Sequence, residues 1–536
     1  MGEYNINGLA IPLFLLFMLV EYAFLRISGR NLHRYNDSVT SLSMGLCLLM
    51  SDALLKAYTF AIFIYIWDQY RLFHFSSDEI LTWVVFFIGV DFCYYWFHRL
   101  AHEINFLWGA HVGHHQSEEY NLTTALRQSA FQYAFSWVFY LPLALLGCPP
   151  HVFLIQFIIL KLYQFWLHTQ AVNKVPLMEG ILSTPSSHRV HHAKNPIYID
   201  RNYGGTLVIW DRLFGTWQPE LSHEPCHYGT TQPLTTFNPI KANLQHWGLL
   251  AGDTLRTQSW KNKFKLWFQP TGWRPDDCQP QDINSKMLQK SGASNREKYD
   301  PQTSRSIKWY VGASMLLTFF VATVFLFIAP TLSGQTLLLG VALSLSGLVI
   351  ANDLLENNKR FFIFEVLRLP IMVWFASSLW MTTMTTQMTH SVLIKSSPAN
   401  ALDYASSVSQ WPQWHPQSYQ VYAPSSGPLI SGQRFEEDIN TPIGMNHLVW
   451  RVTKSKPGTL WQAQAVNQNN GVEIELTYRV IEKNNDSEFE RTLTYTMPNV
   501  LLTAFNALYF ERLTQKKSED ALARLKSSIE SQVSAP

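Results

Sequence analysis

The sequence predicts an α-helical integral membrane protein with a histidine-rich core, followed by a soluble α+β domain at the C-terminus. Three observations lead to this fold class. Charged residues make up only 15% of the 536 residues, whereas soluble globular domains contain about 25%. Long apolar runs recur up to about residue 385, and ten of the 18 histidines lie between residues 98 and 192. Beyond residue 390 the apolar runs give way to short, strand-like segments.

Charge and cysteine usage exclude several classes of protein. The net charge of +2 is too small to indicate a nucleic-acid partner. The five cysteines are far apart and form no C-x-x-C pair, so they predict neither a zinc ribbon nor a disulfide framework. The first apolar run lacks a preceding basic stretch and a following cleavage site, so we interpret it as a retained membrane helix. Because nucleic acid is excluded and the first apolar run is a membrane helix, the predicted partner is the membrane.

A helix that crosses the bilayer needs about 20 apolar residues. The runs long enough to be candidate spans are 9–27, 39–67, 80–97, 128–147, 150–168, 308–330, 334–351 and 361–382. The fourth and fifth runs meet at Gly147-Cys148-Pro149-Pro150, which predicts a helical hairpin that need not cross the whole bilayer. If the spans alternate, the basic loops all lie on one side, so the positive-inside rule places the histidines at the cytoplasmic face of a multi-pass protein. The side that the C-terminal region faces stays open.

We predict four segments from the composition. Residues 1–285 form the membrane domain with the histidines, 286–306 a linker, 307–385 additional transmembrane helices, and 390–536 the α+β domain. Within the last segment, strand-like stretches at 447–454, 459–466, 472–481 and 489–497 precede a helix at 499–531.

Eight of the ten histidines fall into three groups of matched spacing, which are His98 and His102, then His111, His114 and His115, then His188, His191 and His192. Residues three or four apart share one helix face, about 5–6 Å apart at Cβ, so their imidazoles can converge on one metal. Adjacent histidines point in different directions, which suits two metals side by side. Eight nitrogens are too many for one tetrahedral zinc, and imidazole alone does not choose between iron, zinc and copper.

Other polar residues are candidates around these groups. The isolated His168 is a candidate ninth ligand, although a structural role is equally compatible with its position. A metal-bound imidazole usually donates its second N–H to an acceptor. Asp91 lies two helical turns before His98 on the same face, and the further candidate acceptors are Glu103, Glu118, Glu119, Asp200 and Asp211. The alternative that the histidines merely form a polar interfacial face is disfavoured by three groups of matched spacing within 95 residues.

The histidine groups resemble the H-x3-H, H-x2-HH, H-x2-HH pattern of the fatty acid hydroxylase and sterol desaturase superfamily. Over roughly residues 5–275 the sequence is most similar to the alkylglycerol monooxygenase branch, in HRLAHEINFLWGAHVGHHQSEEYNLTTALRQS, YQFWLHTQ, STPSSHRVHHAKNPIYIDRNYGGTLVIWDRLFGTW and GWRP. The resemblance implies that the clustered histidines bind two irons. It also implies tetrahydrobiopterin as electron donor, for which the sequence shows no motif of its own.

The resemblance extends to four further residues. Glu103 matches a glutamate that directly follows the family's H-x3-H motif, which implies a catalytic role near the metals; the alternative is an ion pair with Arg99. Tyr120, Asn121 and Arg127 match a second family stretch and are implied to line the pocket. For Asn121, capping of the helix that follows is the favoured alternative.

The C-terminal region resembles the START-like helix-grip domains, which enclose an apolar cavity and often bind lipids. The stretch SPANALDYASSVSQWPQWHPQSYQVY carries this resemblance together with the strands and the long final helix. Trp411 and Trp414 match a W-x-x-W start in that family, and we predict that they pack in the core.

The function implied by resemblance is a membrane-bound, O₂-dependent monooxygenase that hydroxylates a lipid next to an ether oxygen, giving a hemiacetal that collapses to a fatty aldehyde and a glycerol derivative. A sterol or fatty acyl hydroxylase or desaturase is the first alternative, because both chemistries use the same histidine core. A non-catalytic lipid-binding or transport protein is the second, and a zinc hydrolase a weaker third. The sequence itself leaves the electron donor unidentified.

Overall fold

The computed structural model describes residues 7–278, 297–329, 332–380, 384–441, 444–468, 470–483 and 486–533. The chain divides into two compact units, Met1–Met372 and Val373–Pro536, which we call the membrane unit and the C-terminal unit. Most of the predicted linker 286–306 lies outside the described residues, and 297–304 is irregular.

Long apolar helices build the membrane unit. Six helices in the described ranges are long and apolar enough to cross a membrane, at Tyr35–Leu55, Ile80–Glu103, Pro150–Leu167, Arg305–Ile328, Gly334–Leu355 and Phe361–Trp380. In chain order the helices up to residue 380 are α1 Asn7–Ile27, α2 Tyr35–Tyr70, α3 Ile80–Glu103, α4 Asn105–Trp108, α5 Val112–His115, α6 Leu122–Leu126, α7 Gln132–Ser136, α8 Leu141–Leu146, α9 Pro150–Leu167, α10 Pro185–His192, α11 Ile209–Leu213, α12 Pro239–Arg256, α13 Trp260–Phe268, α14 Arg305–Ile328, α15 Gly334–Leu355 and α16 Phe361–Trp380. The protein is thus a multi-pass membrane protein.

The predicted run 128–147 is helical only over Gln132–Leu146, and its helix type changes along the way. It consists of α7, a 3₁₀ turn and α8, and it ends at Gly147 before α9 begins. Gly147 has a φ of +103°, and a Cβ atom there would collide with the backbone carbonyl of Phe73. Glycine is required at this turn because a side chain would meet both a strained backbone and a steric clash.

Buried polar contacts attach the later helices to the earlier ones. Asn352 on α15 accepts a hydrogen bond from Thr40 Oγ1 at 2.9 Å and donates one to Ser43 Oγ at 2.7 Å, both on α2. Ser314 Oγ on α14 donates to Glu365 on α16 at 2.7 Å, and Arg368, on the same helix as Glu365, donates to that carboxylate through Nε at 2.6 Å. Since an unpaired polar group is costly at membrane depth, these contacts specify which helix faces meet.

The C-terminal unit is a seven-stranded antiparallel sheet that packs against a long final helix. Its strands are β1 Met384–Ile394, β2 Ser418–Tyr422, β3 Arg434–Thr441, β4 Gly444–Lys456, β5 Leu460–Asn467, β6 Glu473–Lys483 and β7 Asp486–Met497, in the order β1-β7-β6-β5-β4-β3-β2. Its helices are α17 Pro398–Ser406, α18 Trp411–Trp414, α19 Val500–Phe505 and α20 Glu511–Val533. This is the helix-grip arrangement.

The predicted elements of this unit are confirmed, and three strands were missed. The four strand-like stretches lie in β4 to β7, and the predicted final helix is observed as α19 and α20, joined by a π-helical turn. Trp411 and Trp414 are buried in the core with Ala521, Leu522 and Leu525 of α20. Sequence reasoning did not find β1, β2 or β3.

We expect Trp414→Ala to destabilise the C-terminal unit by about 3–5 kcal/mol, because it removes a fully buried indole and leaves a cavity. The measurement is urea-dependent proteolysis of this unit in the detergent-solubilised full chain. Tyr419→Ala, whose side chain is 68% exposed on β2, is the control and should change the unfolding free energy by less than about 0.5 kcal/mol. Equal effects of the two substitutions would contradict the buried position of Trp414.

Candidate metal centre

Nine buried histidines converge in two groups at one end of the membrane helices. The first group is His98, His102, His111, His115 and His191, and the second is His114, His168, His188 and His192. Within each group the candidate ligand atoms all lie within 4.8 Å of one another. Both adjacent pairs, His114-His115 and His191-His192, are divided between the groups, so each pair contributes one imidazole to each.

Four chain segments supply these side chains. The end of α3 carries His98 and His102, and the single turn of α5 with its N-cap carries the second sequence cluster. His168 is the C-cap of α9. The helix α10 carries the third cluster and begins with a capping box, in which Thr184 and Ser187 satisfy each other's backbone N–H groups, and with a proline at its first position. Strong start signals therefore fix α10 although it is only eight residues long.

Backbone carbonyls orient four of the nine imidazoles, and three of these contacts show the geometry. Nδ1 of His98 lies 2.8 Å from the carbonyl of Tyr203, Nδ1 of His114 2.8 Å from that of Arg127, and Nδ1 of His191 3.0 Å from that of Arg201. A carbonyl only accepts hydrogen bonds, so Nδ1 must carry the proton. The Nε2 atom is then left with its lone pair toward the group centre, as a metal ligand requires.

The positions of the Nε2 atoms fit the binding of two cations better than hydrogen bonds between the histidines. His98 Nε2 lies 3.1 Å from His111 Nε2, and His168 Nε2 lies 3.0 Å from His188 Nε2. In the ligand form both nitrogens of each pair carry lone pairs, which repel each other at that distance unless a cation lies between them. Nε2 of His102, His191 and His192 is buried and has no hydrogen-bond partner within the described residues. Metal–nitrogen bonds of about 2.0–2.1 Å would satisfy all these atoms.

Burial keeps these imidazoles neutral. It lowers the pKa of His111 and of His168 to about 3, and the pKa of His191 to about 4. The pKa of His192 is lowered first by burial and then by the neighbouring imidazoles. Because the neutral form of histidine is the ligand form, the site is prepared for metal at neutral pH.

Two of the acidic residues predicted to accept hydrogen bonds from the histidines, Asp91 and Asp211, accept them from backbone N–H groups instead. The prediction that Asp91 contacts a ligand histidine is wrong, since its carboxylate accepts from the N–H groups of Thr206 and Leu207 and from Trp210 Nε1. Asp211 accepts from the N–H groups of Tyr203 and Gly204 at 2.7 and 2.8 Å. These carboxylates bind the loop that carries the Tyr203 carbonyl, which orients His98. They therefore support the metal site indirectly, through that loop.

Of the other carboxylates, Asp200 approaches a histidine, with Oδ1 3.6 Å from His102 Nδ1. Glu118 and Glu119 instead form ion pairs with Arg34, the latter at 2.5 Å. Glu103 forms the alternative ion pair, with Arg99 at 2.9 Å, and its side chain is 38% exposed. A catalytic role for Glu103 stays a prediction.

The residues of the second family stretch have structural contacts. The Asn121 side chain accepts from the Thr123 N–H, so the capping interpretation is confirmed. Tyr120 donates its hydroxyl to the carbonyl of Leu167, just before His168, and its ring stacks on His168 at 5.8 Å between ring centres. Arg127 is buried, donates to the carbonyl of Gly113 and lies 3.6 Å from Asp37. These contacts position the segments that carry the histidines.

A cavity of about 350 Å³ leads from the histidines into the apolar interior of the membrane unit. His111, His114, His168 and His188 line one part of it, and aliphatic and aromatic side chains line most of the rest. Sequence reasoning missed Gln132, which lines the cavity and contacts His111 Nδ1 at 3.3 Å, and Lys161, a charged residue inside an apolar run. The interrupted apolar run was the available signal for Lys161.

The fatty acid hydroxylase family model matches residues 83–216, which include all nine histidines. Fold and site thus define a membrane oxygenase of the fatty acid hydroxylase class, with histidine groups that fit iron. Alkylglycerol monooxygenase from Xenopus tropicalis is 40% identical over 65% of this chain and 77% of its own length, and the Homo sapiens enzyme is 39% identical over 67% and 80%. The chain belongs to the alkylglycerol monooxygenase family and is an O₂-dependent oxidoreductase.

The C-terminal unit matches a different family model. Residues 385–530 match polyketide cyclase / dehydrase and lipid transport. The crystal structure of the Zhui aromatase/cyclase from Streptomyces sp. R1128 aligns with 28% of this chain and 98% of its own, at 13% identity and a TM-score of 0.25. The family-model match and the seven-stranded sheet with its long final helix together show that this chain joins an oxygenase core to a helix-grip domain.

We expect Asp211→Ala to lower iron affinity by about 10- to 100-fold, because the loop that presents the Tyr203 carbonyl to His98 loses two backbone hydrogen bonds. Iron per chain after anaerobic reconstitution, measured against a competing chelator, gives the result. Asp276→Ala, an exposed aspartate outside the site, should bind iron like the unmodified protein. Unchanged affinity in Asp211→Ala would show that the loop orients itself without this carboxylate.

Proposed function

We propose that this chain is a di-iron monooxygenase that cleaves ether lipids of the alkylglycerol type. The observation that carries the proposal is the division of nine imidazoles into two groups, each compact enough for one ion. One iron is assigned to His98, His102, His111, His115 and His191, and the other to His114, His168, His188 and His192. The substrate class rests on the relatives, which are named for alkylglycerols and match over more than three quarters of their length.

Bound iron would supply activation of O₂ and cleavage of the substrate C–H bond. The protein orients the imidazoles through backbone carbonyls and excludes water by burying every ligand. The cavity lining would hold the alkyl chain so that the carbon next to the ether oxygen lies at the histidine end. One oxygen atom enters that C–H bond to give a hemiacetal, which collapses to fatty aldehyde and a glycerol derivative. The other leaves as water with two electrons and two protons from a reductant.

The reductant and the orientation are part of the same proposal. Resemblance supports a reduced pterin such as tetrahydrobiopterin as the electron donor. The positive-inside rule supports a cytoplasmic histidine site. Two arginines of the first basic loop contact the histidine-bearing end of the unit, since Arg30 donates to the Gln170 carbonyl and Arg34 pairs with Glu118 and Glu119.

We expect His191→Ala and His192→Ala each to lower O₂-dependent ether cleavage by more than about 100-fold, because each removes a ligand from a different ion. Each variant should also bind about one iron fewer, measured by metal analysis and Mössbauer spectroscopy after anaerobic reconstitution. His223→Ala, an exposed histidine, is the matched control and should keep both properties.

The same preparations separate the substrate alternatives. O₂ uptake and product formation are measured with an alkylglycerol and with a sterol, each with and without tetrahydrobiopterin. Pterin-dependent release of fatty aldehyde from the alkylglycerol supports the proposal. Turnover of the sterol alone would favour the hydroxylase or desaturase alternative, and retained ether cleavage in both histidine variants would reject the di-iron assignment.

We propose lipid binding by the C-terminal unit as a second function alongside catalysis. A cavity of about 100 Å³ lies between its sheet and its C-terminal helices, with mainly apolar walls that include Trp450, Leu476 and Phe510. Glu437 and Arg491 also line it, and burial raises the pKa of the Glu437 carboxyl to about 7. Apolar walls with a few buried polar groups suit an amphipathic molecule.

We expect Thr514→Phe to abolish labelling of this cavity by an aliphatic diazirine amphiphile, because the ring would fill the space that Thr514 now lines. Peptide mapping of the cross-linked full chain would locate the label near residues 493–510. Gln515→Phe, the exposed neighbour on the same helix, should leave that labelling unchanged. Label that is confined to the membrane helices in every variant would contradict the proposal.

A further inference from the structure

Lys161 places an ammonium group inside the cavity that leads to the histidines. It lies on α9, a candidate membrane span, and it is the one lysine or arginine among the described residues that line this cavity. A charged residue is costly at this depth, and such residues usually mark the path of a substrate or ion. Nothing in the arrangement of the two histidine groups requires a cation here.

The surroundings of Lys161 leave its charge without a counter-ion. Its Nζ donates to Gln164 Oε1 at 3.3 Å and lies 4.8 Å from the ring centre of Tyr94 and 5.4 Å from that of Phe157. Among the described residues, no ion pair joins a carboxylate to Nζ; the one carboxylate that lines the cavity, that of Asp52, has interactions of its own. An ammonium has three donors, so donors remain for a ligand.

Lys161 is close to the metal site without belonging to it. The Tyr94 ring, 4.8 Å from Nζ, lies 5.1 Å from the His98 ring between centres. Gln164 connects the two regions, because its side chain contacts Lys161 while its backbone carbonyl lies 2.9 Å from Nδ1 of His168. A group bound at Nζ would therefore lie only a few bond lengths beyond a carbon held at the histidines.

We propose that Lys161 is a positioning residue that binds an anionic head group of the lipid substrate, a phosphate on the glycerol carbon remote from the ether. This inference rests on the proposed ether-lipid function. An uncompensated ammonium in an apolar cavity gains most from an anion, whereas a neutral hydroxyl would leave the charge unbalanced. Binding there fixes the ether-linked carbon at the histidine end of the cavity, and it selects alkyl lysophospholipids over neutral alkylglycerols.

The test compares 1-O-alkylglycerol with 1-O-alkylglycerol-3-phosphate of the same chain length, using the iron-reconstituted full chain in micelles. The ratio of kcat/KM for the phosphate to kcat/KM for the neutral lipid should fall by about 10- to 100-fold in Lys161→Met, mainly through KM. Lys161→Arg should keep most of the ratio, since the charge remains. Lys261→Met removes an exposed lysine and should leave the ratio unchanged.

An unchanged ratio in an iron-loaded Lys161→Met variant would overturn the inference, and so would an equal loss on both lipids. A second measurement uses the unmodified protein, so its result does not depend on whether a variant folds. An alkyl phosphonate should inhibit alkylglycerol cleavage at least about tenfold more strongly than the alkyl alcohol of equal length, and equal inhibition would also overturn the inference. If the unmodified protein cleaves neither lipid, the proposed function fails instead.

Discussion

The site depends on one repeated interaction, in which a histidine Nδ1–H donates to a backbone carbonyl and leaves Nε2 as the inward-facing ligand. Nine buried imidazoles would otherwise be free to rotate or exchange protons among themselves. Carbonyls of Tyr203, Arg127, Gln164 and Arg201 remove that freedom for four of the nine imidazoles, two in each group. A carbonyl carries no charge of its own, so it fixes the tautomer without adding a second buried ion, which would be costly in this dry environment.

Carboxylates support this arrangement from one layer further out. Asp211 holds the backbone N–H groups of Tyr203 and Gly204, and Asp91 holds those of Thr206 and Leu207. Two carboxylates thus bind the loop from 203 to 211, one at residues 203 and 204 and the other at residues 206 and 207. The Tyr203 carbonyl of this loop accepts from His98 Nδ1, so the position of the loop sets the orientation of that imidazole. Buried negative charge is in this way kept away from the proposed irons while still determining their geometry.

Sequence patterns predicted the features that depend on the spacing of residues close together in the chain. The three histidine clusters, the membrane runs and four strands of the C-terminal unit were all readable, because each has a short period along the chain. His168 has no nearby partner in the sequence, and it meets His114 only through the packing of α9. The carbonyl acceptors could not be predicted, since every residue has a carbonyl. The missed strands β1 and β2 are the two edges of the sheet, where polar side chains weaken the alternating pattern.

The attachment of the 203–211 loop to α3 has a consequence for biosynthesis. The helix that supplies His98 and His102 also supplies Asp91, and the backbone groups it captures are made more than one hundred residues later. Until the ribosome has passed this loop, His98 lacks the carbonyl that fixes its tautomer. The geometry of the histidine site is therefore completed only after the loop from 203 to 211 has been made, although all nine histidines precede that loop in the sequence.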